Sequence, residues 1–199
     1  MRVALFGGTF DPPHRGHLAA AAAAADAFQL DSVLFAPVGR QPLKPDAHST
    51  PFADRMAMTT LACAADPRFA PSSLDAPRAD GQPNYTVDTL AALRHEYPKA
   101  GLFNLVGADS FLDLRRWREP ARLLELAEWI VVSRPGFSLN DLSTLGLKAQ
   151  QQARVHLLES VHQPISATQL RDCLHRGDSC TALIPPAVAD YIRARHLYC

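Results

Sequence analysis

No stretch of this 199-residue chain approaches the roughly 18 uninterrupted apolar residues of a membrane span, although 47% of its residues are hydrophobic. The opening residues read as a strand rather than a signal peptide, so the expected location is the cytoplasm. Charge of one sign is also missing. Lys and Arg number 20 and Asp and Glu number 20, which excludes the broad basic field that drives non-specific nucleic-acid binding. Any phosphate recognition must therefore be local. Cysteine is scarce: Cys63, Cys173, Cys180 and Cys199 form no C-x-x-C pair and no zinc-spaced cluster with histidine, so reduced thiols are expected. Neither G-x-x-x-x-G-K-[ST] nor G-x-G-x-x-G occurs, which argues against P-loop and standard dehydrogenase sites. No internal repeat is present.

What the chain does have is a series of short apolar runs at residues 3–6, 33–37, 102–106, 129–132 and 155–158. Their near-continuous apolar character suits strands buried on both faces, and their alternation with helical stretches predicts an α/β fold: an open, mainly parallel sheet flanked by helices. The length fits a single domain over residues 1–199. Alanines 19–25 predict a closely packed first helix. The proline-bearing segments 40–51 and 71–83 read as loops, and residues 140–153 as a polar helix. In a parallel sheet with right-handed crossovers the loops that follow the strands share one edge, where ligands of such folds bind.

Two constellations fall at that edge. The first is GGTFDPPHRGH at 7–17, directly after the first apolar run. The glycines let the backbone approach a ligand and the prolines end the loop before the helix begins. His14 and His17, three apart, sit at a helix N-terminus, where unpaired N–H groups favour anions. Two imidazoles there could shuttle protons, stabilise developing phosphate charge or bind a metal. Zinc is the weakest option, because only Asp11 stands nearby as a third ligand. The second constellation is ISATQLR at 165–171. Ser166 reads as an N-cap, Thr168 lies in the open first turn, and Arg171 follows at helical spacing, so hydroxyls and guanidinium can share one anion.

Together with PNYT at 83–86, GADS at 107–110, Trp117, SRPG at 133–136 and LIPPAVADYIRARHLY at 183–198, these motifs resemble the nucleotidyltransferases with an HxGH signature, and among them the bacterial nicotinate mononucleotide adenylyltransferases. The resemblance covers nearly the whole chain. It implies a Rossmann-like fold and transfer of AMP from ATP to nicotinate mononucleotide, giving deamido-NAD and pyrophosphate. It assigns His14, His17, Lys44 and Arg171 to the ATP phosphates, with Ser166 and Thr168 beside them. Gly8, Thr9 and Phe10 would line the nucleotide pocket, and Asp109 would meet the adenosine sugar or, alternatively, cap the helix that follows. Trp117 would stack on the pyridine ring, with Asn84, Tyr85 and Thr86 at the carboxylate end and Arg134 near the acceptor. Mg2+ would be carried mainly on the ATP phosphates.

The chain departs from that family in the segment PVGRQPLK at 37–44, where many relatives carry an asparagine and a histidine and this chain has Gly39 and Leu43. Arg40 could compensate as the contact to the acceptor phosphate. Two alternatives stand beside this reading: another small adenylyltransferase acting on pantetheine phosphate, and a nucleotide-binding module without turnover. The expected partners are small molecules, with no nucleic acid and no membrane, and a homo-oligomer is left open.

Overall fold

The computed structural model describes residues 1–43, 49–133, 139–159, 167–178 and 180–199. Six strands form one parallel sheet: β1 (Arg2–Gly8), β2 (Ser32–Pro37), β3 (Phe69–Pro71), β4 (Gly101–Gly107), β5 (Glu128–Ser133) and β6 (Val155–Glu159), in the order β3-β2-β1-β4-β5-β6. The five predicted runs are five of these strands. β3 went unseen because three residues carry no period, and its final Pro71 is tolerated only because β3 lies at the sheet edge.

Alternation along β1 sends Val3 and Leu5 into one core layer and Ala4 and Phe6 into the other. On the second face α1 (Arg15–Phe28) buries Ala21, Ala24 and Ala25 against Phe35, Phe103 and Ile130. α2 (Phe52–Cys63) follows β2. On the first face α3 (Thr86–Glu96) contributes Val87, Leu90 and Leu93, the short α4 (Ala108–Leu112) contributes Phe111, and α5 (Pro120–Leu126) contributes Leu123 and Leu124 around Trp129. α6 (Ala149–Gln152) is a single turn. Leu170 of α7 (Ala167–His175), Ile184 just before α8, and Val188 and Ile192 of α8 (Pro186–Ala194) join Met58 and Ala62 of α2 in a smaller third cluster.

The polar helix predicted over 140–153 is not continuous. Residues Leu139–Leu145 are 3-10 and only Ala149–Gln152 is α-helical, with Gly146 between them at φ +55°. A left-handed glycine ends one helical segment before the next begins.

The chain runs outward from β1 to β3, then returns to the other side of β1 with β4, β5 and β6. The crevice beyond the carboxyl ends of β1 and β4 is therefore the switch point, where neighbouring loops turn away from each other and leave room for a ligand. Gly8 and Gly107 flank it.

Candidate active site

The histidine turn occupies one wall of that crevice. Phe10 takes a left-handed φ of +48°, which tucks its ring beneath the turn, against Phe6 at 5.4 Å and His17 at 5.0 Å between ring centroids. Gly8 permits this: a Cβ there would lie 3.2 Å from the Phe10 ring. Phe10 is thus 2% exposed, a floor for the turn, while Gly8 and Thr9 are half-buried at its surface.

His14 and His17 stack face to face, with centroids 3.6 Å apart and planes at 21°. The His14 N–H donates to Nδ1 of His17 at 3.2 Å. A neutral ring whose Nδ1 accepts carries its proton on Nε2, so the donor His17 can offer is Nε2–H. Nδ1 of His14 is buried without a hydrogen-bond partner among the described residues. Burial pushes the His14 pKa down from 6.5 to about 4. Burial, and then the neighbouring His14 charge, holds His17 well below its ordinary value. Both rings are neutral at pH 7.

That neutrality has a consequence for stability. The unfolded chain binds a proton on His14 that the fold refuses, so the contribution is intact above pH 6.5 and is lost as pH falls from 6.5 toward about 4. The shift corresponds to about 3 kcal/mol. Between about pH 7.5 and 4.5, His14→Gln should lose roughly 6 °C less melting temperature than the unmodified chain. Identical pH slopes would contradict the assignment. Asp75, whose carboxyl burial raises, acts in the opposite sense in both proteins and cancels in the comparison.

Arg55, 1% exposed, underpins the turn: Nη1 donates to the Thr9 carbonyl at 2.8 Å and Nε to the Thr50 carbonyl at 2.9 Å. Arg171 of α7 reaches it from another side. Its Nη1 donates to the Asp11 carbonyl at 2.9 Å and its Nη2 to the Thr168 hydroxyl at 3.3 Å. The two motifs, 160 positions apart in this pair, meet over the switch point.

Asp109 is exposed at the carboxyl end of β4. Gly107, not Asp109, caps α4, so the capping alternative is corrected; Asp109 lies within the first turn. The loop after β2 packs directly on the loop after β3. A Cβ on Gly39 would sit 2.4 Å from Pro77 N, which explains why this chain has no asparagine there. Asn84 secures the same junction, accepting from Arg40 N–H at 3.0 Å and donating to the Ala76 carbonyl at 2.9 Å. Its amide is thereby engaged on backbone groups. Arg40 itself is exposed, with Nη1 on the Gly81 carbonyl at 2.8 Å.

Tyr85 caps α3 and Thr86 begins it. Arg118 lies over the Tyr85 ring at 4.7 Å, and both line an open cavity of about 380 Å³ with Arg78 and Asp88. Trp117 is half-buried, edge-on to Trp129 at 5.8 Å, and its buried Nε1 has no partner among the described residues. Trp129 is fully buried. Lys44, Arg134 and Ser166 lie outside the described residues. Among the described residues, no group of three or more His, Cys, Asp or Glu could hold a metal ion.

Four participants were not singled out from sequence: Arg55, Asp75, Thr50 and Tyr198. Asp75 is buried and accepts from the Thr89 hydroxyl at the root of the loop bearing Tyr85. Thr50 and Tyr198 both hold Asp11. Only the folded chain brings these residues to their partners.

A model of the cytidylyltransferase-like family matches residues 5–173. The chain is 44% identical over 197 residues to the probable nicotinate-nucleotide adenylyltransferase of Leifsonia xyli subsp. xyli, covering 99% of this chain and 94% of that relative. It is 41% identical over 199 residues to the protein so described in Corynebacterium kroppenstedtii, covering 99% and 90%. Among solved structures, Plasmodium falciparum nicotinic acid mononucleotide adenylyltransferase complexed with APC matches with a TM-score of 0.77 and 18% identity, over 99% of this chain and 96% of that one. The same enzyme complexed with NaAD matches with a TM-score of 0.76 at 18% identity, over 99% and 97%. At that identity the structural likeness concerns the fold.

Proposed function

The chain belongs to the cytidylyltransferase-like family and, within it, to the nicotinate-nucleotide adenylyltransferases, and from that membership we propose that it transfers AMP from ATP to nicotinate mononucleotide, yielding deamido-NAD and pyrophosphate. The observation that carries the reading is the pair of stacked, neutral imidazoles at the N-terminus of α1, with Arg171 tied to the same turn at the switch point.

A phosphate oxygen of the mononucleotide attacks the α-phosphorus in line, the bond to the bridging oxygen breaks, and pyrophosphate leaves with its electrons. No protein nucleophile takes part, so the chain's work is positioning and charge stabilisation. The His17 Nε2–H donates to phosphate oxygens as charge develops, from a ring already fixed by the His14 N–H and Phe10. Among the described residues Arg171 commits two of its five N–H groups, to Asp11 and Thr168, and the fork's other donors are assigned to the outer phosphates. Lys44 and Ser166 are assigned to the same phosphates on the family resemblance, and Gly8 and Thr9 to the nucleotide's close approach. Asp109 is assigned to the adenosine sugar.

The donor set fits Mg2+ that arrives on the triphosphate. Both oxygens of Asp11, the turn's one carboxylate, already accept from Tyr198 and Thr50, whereas neutral imidazoles and a guanidinium suit phosphate oxygens. Bound there through phosphates and water, Mg2+ would neutralise charge on the leaving pyrophosphate.

Trp117, Tyr85 and Thr86 are assigned to the pyridine ring and its carboxylate, Asn84 to holding their loop, and Arg134 to the acceptor. Four free cysteines support the cytoplasmic placement. Pyrophosphate release measured with ATP plus nicotinate mononucleotide, its amide analogue or phosphopantetheine tests the reading. Release is expected with the first. Preference for phosphopantetheine, or binding without release in all three, would overturn it.

Arg40 is the replacement contact in the altered loop. Arg40→Ala should raise KM for the mononucleotide several-fold while KM for ATP stays within about twofold. Equal, negligible effects on both constants would rule the contact out.

A further inference from the structure

We infer that Tyr198, acting through Asp11, is a positioning residue for the histidine turn; this rests on the adenylyl-transfer reading and deepens it. Tyr198 lies beyond the segment 5–173 matched to the family model. Asp11 is 4% exposed, and among the described residues each carboxylate oxygen has one donor: the Tyr198 hydroxyl to Oδ1 at 2.5 Å and the Thr50 N–H to Oδ2 at 3.1 Å. Its carbonyl accepts from Arg171 at 2.9 Å. One residue, three positions before His14, is thus held from α7, from the loop preceding α2 and from the segment following α8.

Slack in that arrangement would reach the reacting groups directly. Phe10, at φ +48°, precedes Asp11, and two prolines follow it before His14, so the peptide has little freedom to absorb a displacement. A shift of Asp11 moves the stacked imidazoles and the carbonyl that orients Arg171 together. Misplacement of catalytic groups by a fraction of an ångström suffices to slow transfer.

The segment itself is held under strain. His196 at φ +49° and Tyr198 at φ +63° both occupy the left-handed region that side chains disfavour. Such conformations persist where surrounding contacts over-determine them. Two further contacts from this part of the chain go elsewhere: the Tyr191 hydroxyl donates to Asp54 Oδ1 at 2.8 Å and Arg195 Nε to the same oxygen at 3.3 Å. Those tie α8 and its C-terminal cap to Asp54 of α2 and not to Asp11, and supply an internal control.

Tyr198→Phe removes one hydroxyl from Asp11 and from the Thr50 side chain. Expected are a fall in kcat of about tenfold, KM for the mononucleotide within about twofold of the unmodified chain, and a melting temperature lower by several degrees yet well above the assay temperature. Tyr191→Phe, which leaves Asp54 Oδ1 its Arg195 donor, should lower the melting temperature less and leave kcat within about twofold. Amide hydrogen exchange over residues 9–17 should quicken in Tyr198→Phe and not in Tyr191→Phe. That last readout needs no turnover, so failure of the activity reading is told apart from failure of this one. Unchanged kcat and exchange in Tyr198→Phe, or kcat falling in both variants in step with melting temperature, would overturn the inference. So would unchanged exchange alone in a chain that releases no pyrophosphate.

Discussion

Replacing His17 with alanine is expected to lower kcat for pyrophosphate release by about 10²- to 10³-fold, the loss that follows removal of one preorganised donor from a site of developing negative charge. The donor is specific to one atom. Because Nδ1 accepts from the His14 backbone, Nε2–H is the ring's remaining donor, and stacking on His14 with Phe10 and Phe6 alongside holds the ring in place. The loss should appear in kcat and not as a rise in mononucleotide KM, since the interaction strengthens as the pyrophosphate departs. His17→Gln, which keeps an N–H donor, should recover part of it. With His14 titrating at about 4 and His17 depressed by burial, the rate should also be flat across neutral pH. A loss of under about threefold in His17→Ala would remove this residue from the phosphate-handling role.

The histidine turn was legible because glycines, prolines and imidazoles crowd eleven consecutive positions, where local spacing alone places them at a helix N-terminus. Strands buried on both faces were legible for a similar reason: residues 102–106 or 129–132 are apolar at almost every position, whichever side they face. What local pattern could not reveal are contacts whose partners lie far apart. Asp75 meets Thr89 across 14 positions and Asp11 meets Tyr198 across 187, and each, taken singly, reads as a turn residue, a helix-surface threonine or an aromatic near a helix end. The two tryptophans show the same division. Trp129, within an apolar run, was assignable to the core and is fully buried there. Trp117, between two arginines, is half-buried against it with its Nε1 unpartnered among the described residues, an intermediate state that residue type does not disclose. Gly39 gained its meaning only from the fold, as the point where the backbone of Ala76 and Pro77 leaves no space for a side chain.

Arg171→Ala should reduce kcat/KM for ATP by about 10²-fold, for reasons that combine charge and architecture. The guanidinium is the junction of the two motifs: one arm on the Asp11 carbonyl, the other on the Thr168 hydroxyl, and its remaining N–H groups available to an anion held between α1 and α7. Alanine deletes a cation from the phosphate crevice and leaves the Asp11 carbonyl without that donor. Arg171→Lys restores the charge but not the planar fork, so a single ammonium must choose between Asp11, Thr168 and the phosphates; recovery should stay below about tenfold. The acceptor provides the control, since Trp117, Tyr85 and Thr86 lie on α3 and the segment after α4, and mononucleotide KM should stay within about twofold in both variants. Lysine restoring full activity would reduce Arg171 to a diffuse positive charge. Matching losses for ATP and mononucleotide would show instead that α7 had lost its place against the turn, so that the guanidinium served the fold more than the triphosphate.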